Sequence, residues 1–211
     1  MRIDRPPPGE PLHSGPVTAP RQAASVILLR GGEDGLELLL VRRNPAQAFM
    51  GGFWVFPGGA VDAGEGEGDR AHRAAAVREL EEEAGVRGVD PSALVKFSRW
   101  ITPAQIARRF DTHFFLAAAP EGAEPRPDGR ECVDARWTTP QAALRAYEAG
   151  TLPLVLPTLS HLEQISPFAT TARLLRHAEG REVRPIQPRV VLGGETARIV
   201  LPGEPGYESG G

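Results

Sequence analysis

The sequence has little with which to cross-link itself: among its 211 residues Cys132 is the only cysteine, which excludes an internal disulfide and a zinc site of the common cysteine type. It also lacks long apolar runs. No stretch approaches the ~20 apolar residues of a membrane span, and residues 1 to 9 hold no hydrophobic segment of signal-peptide length. A basic excess is missing too: the net charge is −3 and the pI near 6.0, whereas nucleic-acid binding needs a basic face. His72, His113, His161 and His177 do not stand at metal-ligand spacing, His13 lies near the N-terminus, and each is read as structural. These absences point to a cytoplasmic location and a small-molecule partner, with no nucleic acid and no membrane.

What is present suits an enzyme domain. The composition, 41% hydrophobic and 24% charged, is ordinary for a globular chain, and the length allows a sizeable core. Residues 1–21 read as a proline-rich flexible arm, 22–178 as the main domain and 179–211 as a C-terminal extension. Periodicity predicts strands at Ala24–Leu29 and Leu36–Arg42, a helix from about Ala71 to Ala84, and strands near Leu94–Ile101, Phe110–Ala117 and Cys132–Thr138. Pro140 starts a helix reaching Ala149, and Pro157 a helical pair reaching about Ala178. Pro188–Leu192 and Ala197–Leu201, around a glycine turn, read as a hairpin. It either caps a substrate cleft, pairs with a second copy in a homodimer, or packs on its own sheet.

The chemistry is concentrated in Arg78-Glu79-Leu80-Glu81-Glu82-Glu83-Ala84-Gly85-Val86. On a helical period Glu79, Glu82 and Glu83 share one face, with Ala74, Val77, Leu80 and Ala84 opposite. Like charges so spaced cost a helix roughly 0.2–0.5 kcal/mol per pair, a penalty that a bound cation removes. Mg²⁺ prefers oxygen ligands and is usually held by one or two carboxylates together with substrate phosphates. The competing reading is a solvated acidic face. Phe56-Pro57-Gly58-Gly59 ahead of the helix favours a site, because two glycines let the backbone turn tightly and bring a carbonyl close, and Gly85 suits a left-handed C-cap.

Gly59, Glu65, Arg78-Glu79-Leu80, Glu82-Glu83, Gly85 and Val86 resemble the Nudix box: glycine, five residues, glutamate, seven residues, then Arg-Glu-aliphatic-any-Glu-Glu-any-Gly-aliphatic. Here twelve residues separate Glu65 from Arg78, so the box is five longer. The extra residues, within Gly66–His72, are expected to form a surface extension ahead of the helix. Counting back from Arg78 in the family's spacing instead reaches Arg70.

The resemblance implies an α/β/α sandwich with a mixed central sheet, here with C-terminal helices and a short hairpin tail. It also implies Mg²⁺ or Mn²⁺ held by Glu79, Glu82 and Glu83 with the Gly59 carbonyl, oriented by Arg78, for in-line attack of water on a diphosphate. Glu79 and Glu131 are both candidates for the general base; Glu131 reads equally as an edge-strand charge. Leu39-Leu40-Val41-Arg42-Arg43-Asn44, Gly52 and Phe56-Pro57-Gly58-Gly59 partly resemble the extended motif of coenzyme A diphosphatases, with Val41, Asn44 and Ala48 as departures. The segments around Arg99–Pro103 and Arg108–Leu116 resemble the peroxisomal-type subgroup, which also carries an insertion in its box.

The expected substrate is therefore a nucleotide-type small molecule, coenzyme A or acyl-coenzyme A first. Arg43, Phe56, Arg108 and Arg109 are the candidate substrate contacts, the last two being read alternatively as exposed arginines at a strand mouth. The alternatives are ADP-ribose, a nucleotide sugar or a nucleoside triphosphate as substrate, or a sensing module that binds without cleaving.

Overall fold

The computed structural model describes residues 15–32, 35–193 and 196–208; most of the expected N-terminal arm lies outside them. In chain order the elements are β1 (Arg21–Gly32), β2 (Gly35–Arg43), β3 (Trp54–Val55), β4 (Gly58–Ala60), α1 (Gly68–Ala84), β5 (Val95–Ile101), β6 (Phe110–Ala118), β7 (Cys132–Thr138), α2 (Pro140–Glu148), α3 (Leu156–Ile165), α4 (Thr171–Ala178), β8 (Pro185–Ile186), β9 (Arg189–Gly193) and β10 (Thr196–Val200). The turn expected between β9 and β10, at Gly194-Glu195, lies outside the described residues.

Alternation along the strands builds two cores. Ala24, Val26 and Leu28 of β1, Leu39 and Val41 of β2, and Phe115 and Ala117 of β6 pack with Ala75, Ala76, Leu80 and Ala84 of α1. The intervening Ile27, Leu29, Leu38, Leu40, Phe114 and Leu116 pack with Ala143, Leu159, Leu162, Ile165 and Leu174 of α2 to α4. One helix therefore covers one face and the others cover the second, which is the expected α/β/α sandwich.

The main sheet is mixed, in the order β3-β2-β1-β6-β5-β8, with β4 also paired to β1 and β7 to β2. β1 and β6 run parallel, from Arg21 opposite Phe110 to Leu29 opposite Ala118. β1 and β2 pair antiparallel from Gly32 opposite Gly35 only as far as Leu29 opposite Leu38, and beyond that pair they splay apart. The segment Trp54–Ala60 fills the gap: β3 pairs with β2 at Val41 and Arg42, and β4 pairs with β1 at Ala23 to Ser25. Between them Pro57 accepts a backbone bond from Val26 N (3.0 Å) and one from Ser25 Oγ (2.8 Å). This wedge sets the glycines down beside α1.

The structure corrects three expectations. The residues from Gly68 on are helix rather than a loop ahead of it, because Ala71 and His72 are buried and Asp69 ties the first turn to Arg73 (2.7 Å) and Lys96 (2.8 Å). Ala74 is only half-buried; Ala75 and Ala76 take the core positions. The competing reading of a solvated acidic face fails for Glu83, which is buried. Gly85 does cap α1 in the left-handed region, φ 66°, its N–H donating to Glu81 O. The short strands β3, β4 and β8 carried no periodic signal, since two or three residues cannot display one.

Candidate active site

Gly58 and Gly59 are extended strand residues, so their need for glycine is spatial rather than conformational. A β-carbon at Gly58 would fall 2.5 Å from Ala24 O and 2.6 Å from Ser25 Cβ. At Gly59 it would meet the carboxylate of Glu79, 2.5 Å from Cδ and 2.8 Å from Oε2, and nearest of all to Oε1. The absent side chain is what lets α1 lay Glu79 directly on β4.

Arg78 gathers the acidic groups. Its Nε donates to Glu65 Oε1 (2.9 Å), its Nη1 to Glu79 Oε1 (2.8 Å) and Glu82 Oε2 (3.0 Å), and its Nη2 to Ala60 O (2.9 Å). This cage of carboxylates holds the guanidinium's pKa above its ordinary value, against its partial burial. Of the two positions that the box spacing offered, it is Glu65 and not Arg70 that meets Arg78 among the described residues. Glu65 Oε2 also accepts from Asp62 N (2.7 Å). Sequence reasoning left Glu65 without a role, although its interval from Gly59 had singled it out.

Burial grades the carboxylates along the helix. The Glu83 side chain is 2% exposed, Glu79 14% and Glu82 61%, so their chemistry differs although their residue type does not. Glu83 Oε2 accepts from Gly58 N (3.0 Å) and Oε1 from Arg43 Nη1 (3.2 Å). Burial nevertheless pushes its pKa up to about 7, with Glu79 and Glu131 adding repulsion. Burial likewise raises Glu79, partly offset by Arg78. The Cys132 thiol beside Glu83 is raised as well and stays protonated.

Glu131 lies in the turn before β7 rather than on an edge strand, and its backbone N–H is held by Asp128 Oδ2 (3.0 Å). Asn44 fixes the same turn from β2, its N donating to Glu131 O (2.8 Å) and its Nδ2 to Arg130 O (2.9 Å). Sequence reasoning missed both; Asn44-Pro45 and Asp128-Gly129 are turn-type pairs that offered the signal. Among the described residues the Glu131 carboxylate has no hydrogen-bond or ion-pair partner, and its charge acts on Glu79 and Glu83.

A cleft of about 1190 Å³ brings together Arg43, Phe56, Gly59, Arg78, Glu79, Glu82, Glu83, Arg108 and Glu131. Arg43 does more than line it, for its Nε also donates to Phe49 O (3.2 Å) and so fastens the loop 44–52. Phe49 packs at 5.4 Å on Phe110, and Arg108 lies 5.7 Å from the Phe49 ring, forming a cation and aromatic platform. Arg109 is the exception among the predicted contacts. It is buried away from the cleft and donates to Thr102 O (3.2 Å) and Thr18 O, so it ties the chain ahead of β1 to the β5–β6 connection.

Carboxylates and a main-chain carbonyl are the donors a hard divalent cation takes. Among the described residues no three acidic, histidine or cysteine side chains converge into a ready-made cage, because Arg78 and Arg43 occupy the carboxylate oxygens. A cation that keeps several waters and takes one or two carboxylates suits this open arrangement.

Known proteins bear on the same residues. A sequence profile of the NUDIX domain matches residues 19–159. The human acyl-coenzyme A diphosphatase NUDT19 is 23% identical, over 89% of this chain and 80% of its own length. Putative nudix hydrolase 7 of Caenorhabditis elegans is 30% identical over 69% of this chain, which spans 60% of it. Among solved structures, a NUDIX hydrolase from Alicyclobacillus acidocaldarius superimposes with a TM-score of 0.69 at 27% identity, over 75% of this chain and 96% of its own. The profile covers most of the chain, including the wedge, the carboxylate helix and most of the cleft they share, and the chain belongs to the Nudix family of hydrolases acting on diphosphate bonds.

Proposed function

We propose that the chain hydrolyses, with Mg²⁺ or Mn²⁺, the diphosphate bond of a nucleoside diphosphate joined to another group, coenzyme A or acyl-coenzyme A first. The observation that carries this reading is one cleft holding the carboxylates of α1 at one place and the Phe49–Arg108–Phe110 platform at another. The partial coenzyme A motif at Leu39–Gly59 and the human relative's name support the substrate class.

Glu79, Glu82, Glu83 and the Gly59 carbonyl would hold the cation, which when bound supplies neutralising charge for the diphosphate and a more acidic water. Arg78 keeps Glu79 and Glu82 together through a shared nitrogen. The Gly58 N–H fixes Glu83 against β4. Glu131, unpartnered and facing the same cleft, accepts the proton of the attacking water. The platform takes the adenine ring by stacking and Arg108 a phosphate of the nucleotide.

The test is cleavage of coenzyme A, acyl-coenzyme A, ADP-ribose, a nucleotide sugar and a nucleoside triphosphate under Mg²⁺ or Mn²⁺, with products resolved by mass. Release of 3′,5′-ADP from coenzyme A is the expected result. Cleavage of a different member moves the substrate, and binding without cleavage of any overturns hydrolysis in favour of sensing. Glu82→Gln and Glu83→Gln are each expected to lower kcat/KM on the order of a hundredfold, as losses in metal sites do.

A further inference from the structure

The cleft has a second, apolar end that the carboxylate chemistry does not use. Phe56 stands beside Gly58-Gly59, and the rings of Phe56, Trp100 and Phe114 lie 5.9, 5.8 and 4.5 Å from that of the buried His161. All three also line the cleft, so an apolar wall runs from the glycines to β5. Trp100 in turn pairs with Ile186, because β8 joins the sheet as a parallel strand along β5. Pro188 and Ile199 continue the wall, and both belong to the C-terminal extension, beyond the residues that the NUDIX profile matches.

The extension is anchored at that place. Val190, Ile199 and Val200 are buried, and Leu201 packs on the core that α2 to α4 cover. Tyr207 donates its hydroxyl to Gln187 O (2.9 Å), while Arg189 donates to Tyr207 O (2.8 Å) and lies 4.6 Å from its ring. Tyr147, Leu154, Val155 and Leu156 also line the cleft. No arginine or carboxylate stands among the wall residues Phe56, Trp100, Phe114, Pro188, Ile199 and Leu154, so this end suits an apolar group rather than a phosphate. Trp100 brings one buried indole N–H that meets no acceptor among the described residues.

We infer that the C-terminal hairpin β9–β10 is a specificity element: with Ile199 and Pro188 it walls an apolar arm of the cleft that receives the acyl chain of an acyl-coenzyme A. This rests on the proposed coenzyme A reading and adds to it which residues measure the chain. The arm binds; it takes no part in the chemistry at phosphorus.

The experiment uses the full chain with Mg²⁺ and reads the ratio of kcat/KM for octanoyl-, dodecanoyl- and hexadecanoyl-coenzyme A to that for free coenzyme A. Filling the arm with Ile199→Trp is expected to lower the ratio by about tenfold, and emptying it with Ile199→Ala to move the preferred chain to greater length, the scale of methylene-sized changes in an apolar pocket. The two variants move in opposite directions only if the residue acts by size, and either one decides the matter if the other is insoluble. Ratios like wild type in the folded variants overturn the inference while leaving coenzyme A as substrate. No cleavage of any coenzyme A species by the wild type overturns both readings.

Discussion

Replacing Gly59 with alanine puts a methyl group where the Glu79 carboxylate lies. The new β-carbon would sit 2.5 Å from Glu79 Cδ, while carbon atoms rest at about 3.5 Å or more, so the carboxylate must retreat by about 1 Å. That retreat strains the 2.8 Å bond from Arg78 Nη1, which Glu82 shares, and displaces a proposed cation ligand. A misplacement of ~1 Å at a reacting centre costs on the order of a hundredfold in rate. The obstructing group is the end of a side chain rather than backbone, so the stability cost should sit near the low end of overpacking, about 1 kcal/mol. The assay is kcat/KM for diphosphate cleavage beside the thermal midpoint. Gly64→Ala is the control, since a β-carbon there meets nothing within 4 Å. Activity of Gly59→Ala within twofold of wild type would refute the steric argument, and so would an equal loss in the control.

The raised pKa of Glu83, about 7 through burial, has a signed consequence. Between the ordinary carboxylate range and about 7 the folded chain holds a proton that the unfolded chain has lost, so without metal this group's contribution to stability falls as pH rises through that window. Thermal midpoints of the metal-free protein against Glu83→Gln should show that difference in slope, and apparent Mg²⁺ affinity should rise over the same window; parallel slopes would remove the burial argument. The neighbouring arginines should separate cleanly. Arg109→Ala, which strands the Thr102 carbonyl, should cost about 1–3 kcal/mol of stability with KM little changed, whereas Arg108→Ala should raise KM with little loss of stability. Thermal melts paired with steady-state kinetics check both.

The long elements were legible because each repeats its burial pattern several times: β1, β2, β6 and α1 carry alternation or helical spacing over many residues. The carboxylates were legible as residue types but not as environments. Spacing put Glu79, Glu82 and Glu83 on one face, yet whether that face meets water depends on where β4 lands, which pairing to β1 decides. Arg108 and Arg109 are indistinguishable in sequence; only the course of the connection between β5 and β6 sends one into the cleft and buries the other. Glu65 was obscured because the longer box hides its distance to Arg78, a distance that the early start of α1 absorbs.

Arg43 has a consequence for how the cleft works as a whole. One guanidinium holds Glu83 Oε1 through Nη1 and the Phe49 carbonyl through Nε, so the acidic pole and the aromatic loop share a fastening. A positive charge arriving at Glu83 competes with Arg43 for the same oxygen and thereby loosens or re-seats the loop that presents Phe49. Reciprocity requires the reverse: a ring settling on Phe49 and fixing that loop changes the affinity of the acidic pole for its cation by the same factor. In the proposed site, cation loading and substrate capture would therefore be coupled equilibria rather than successive independent steps.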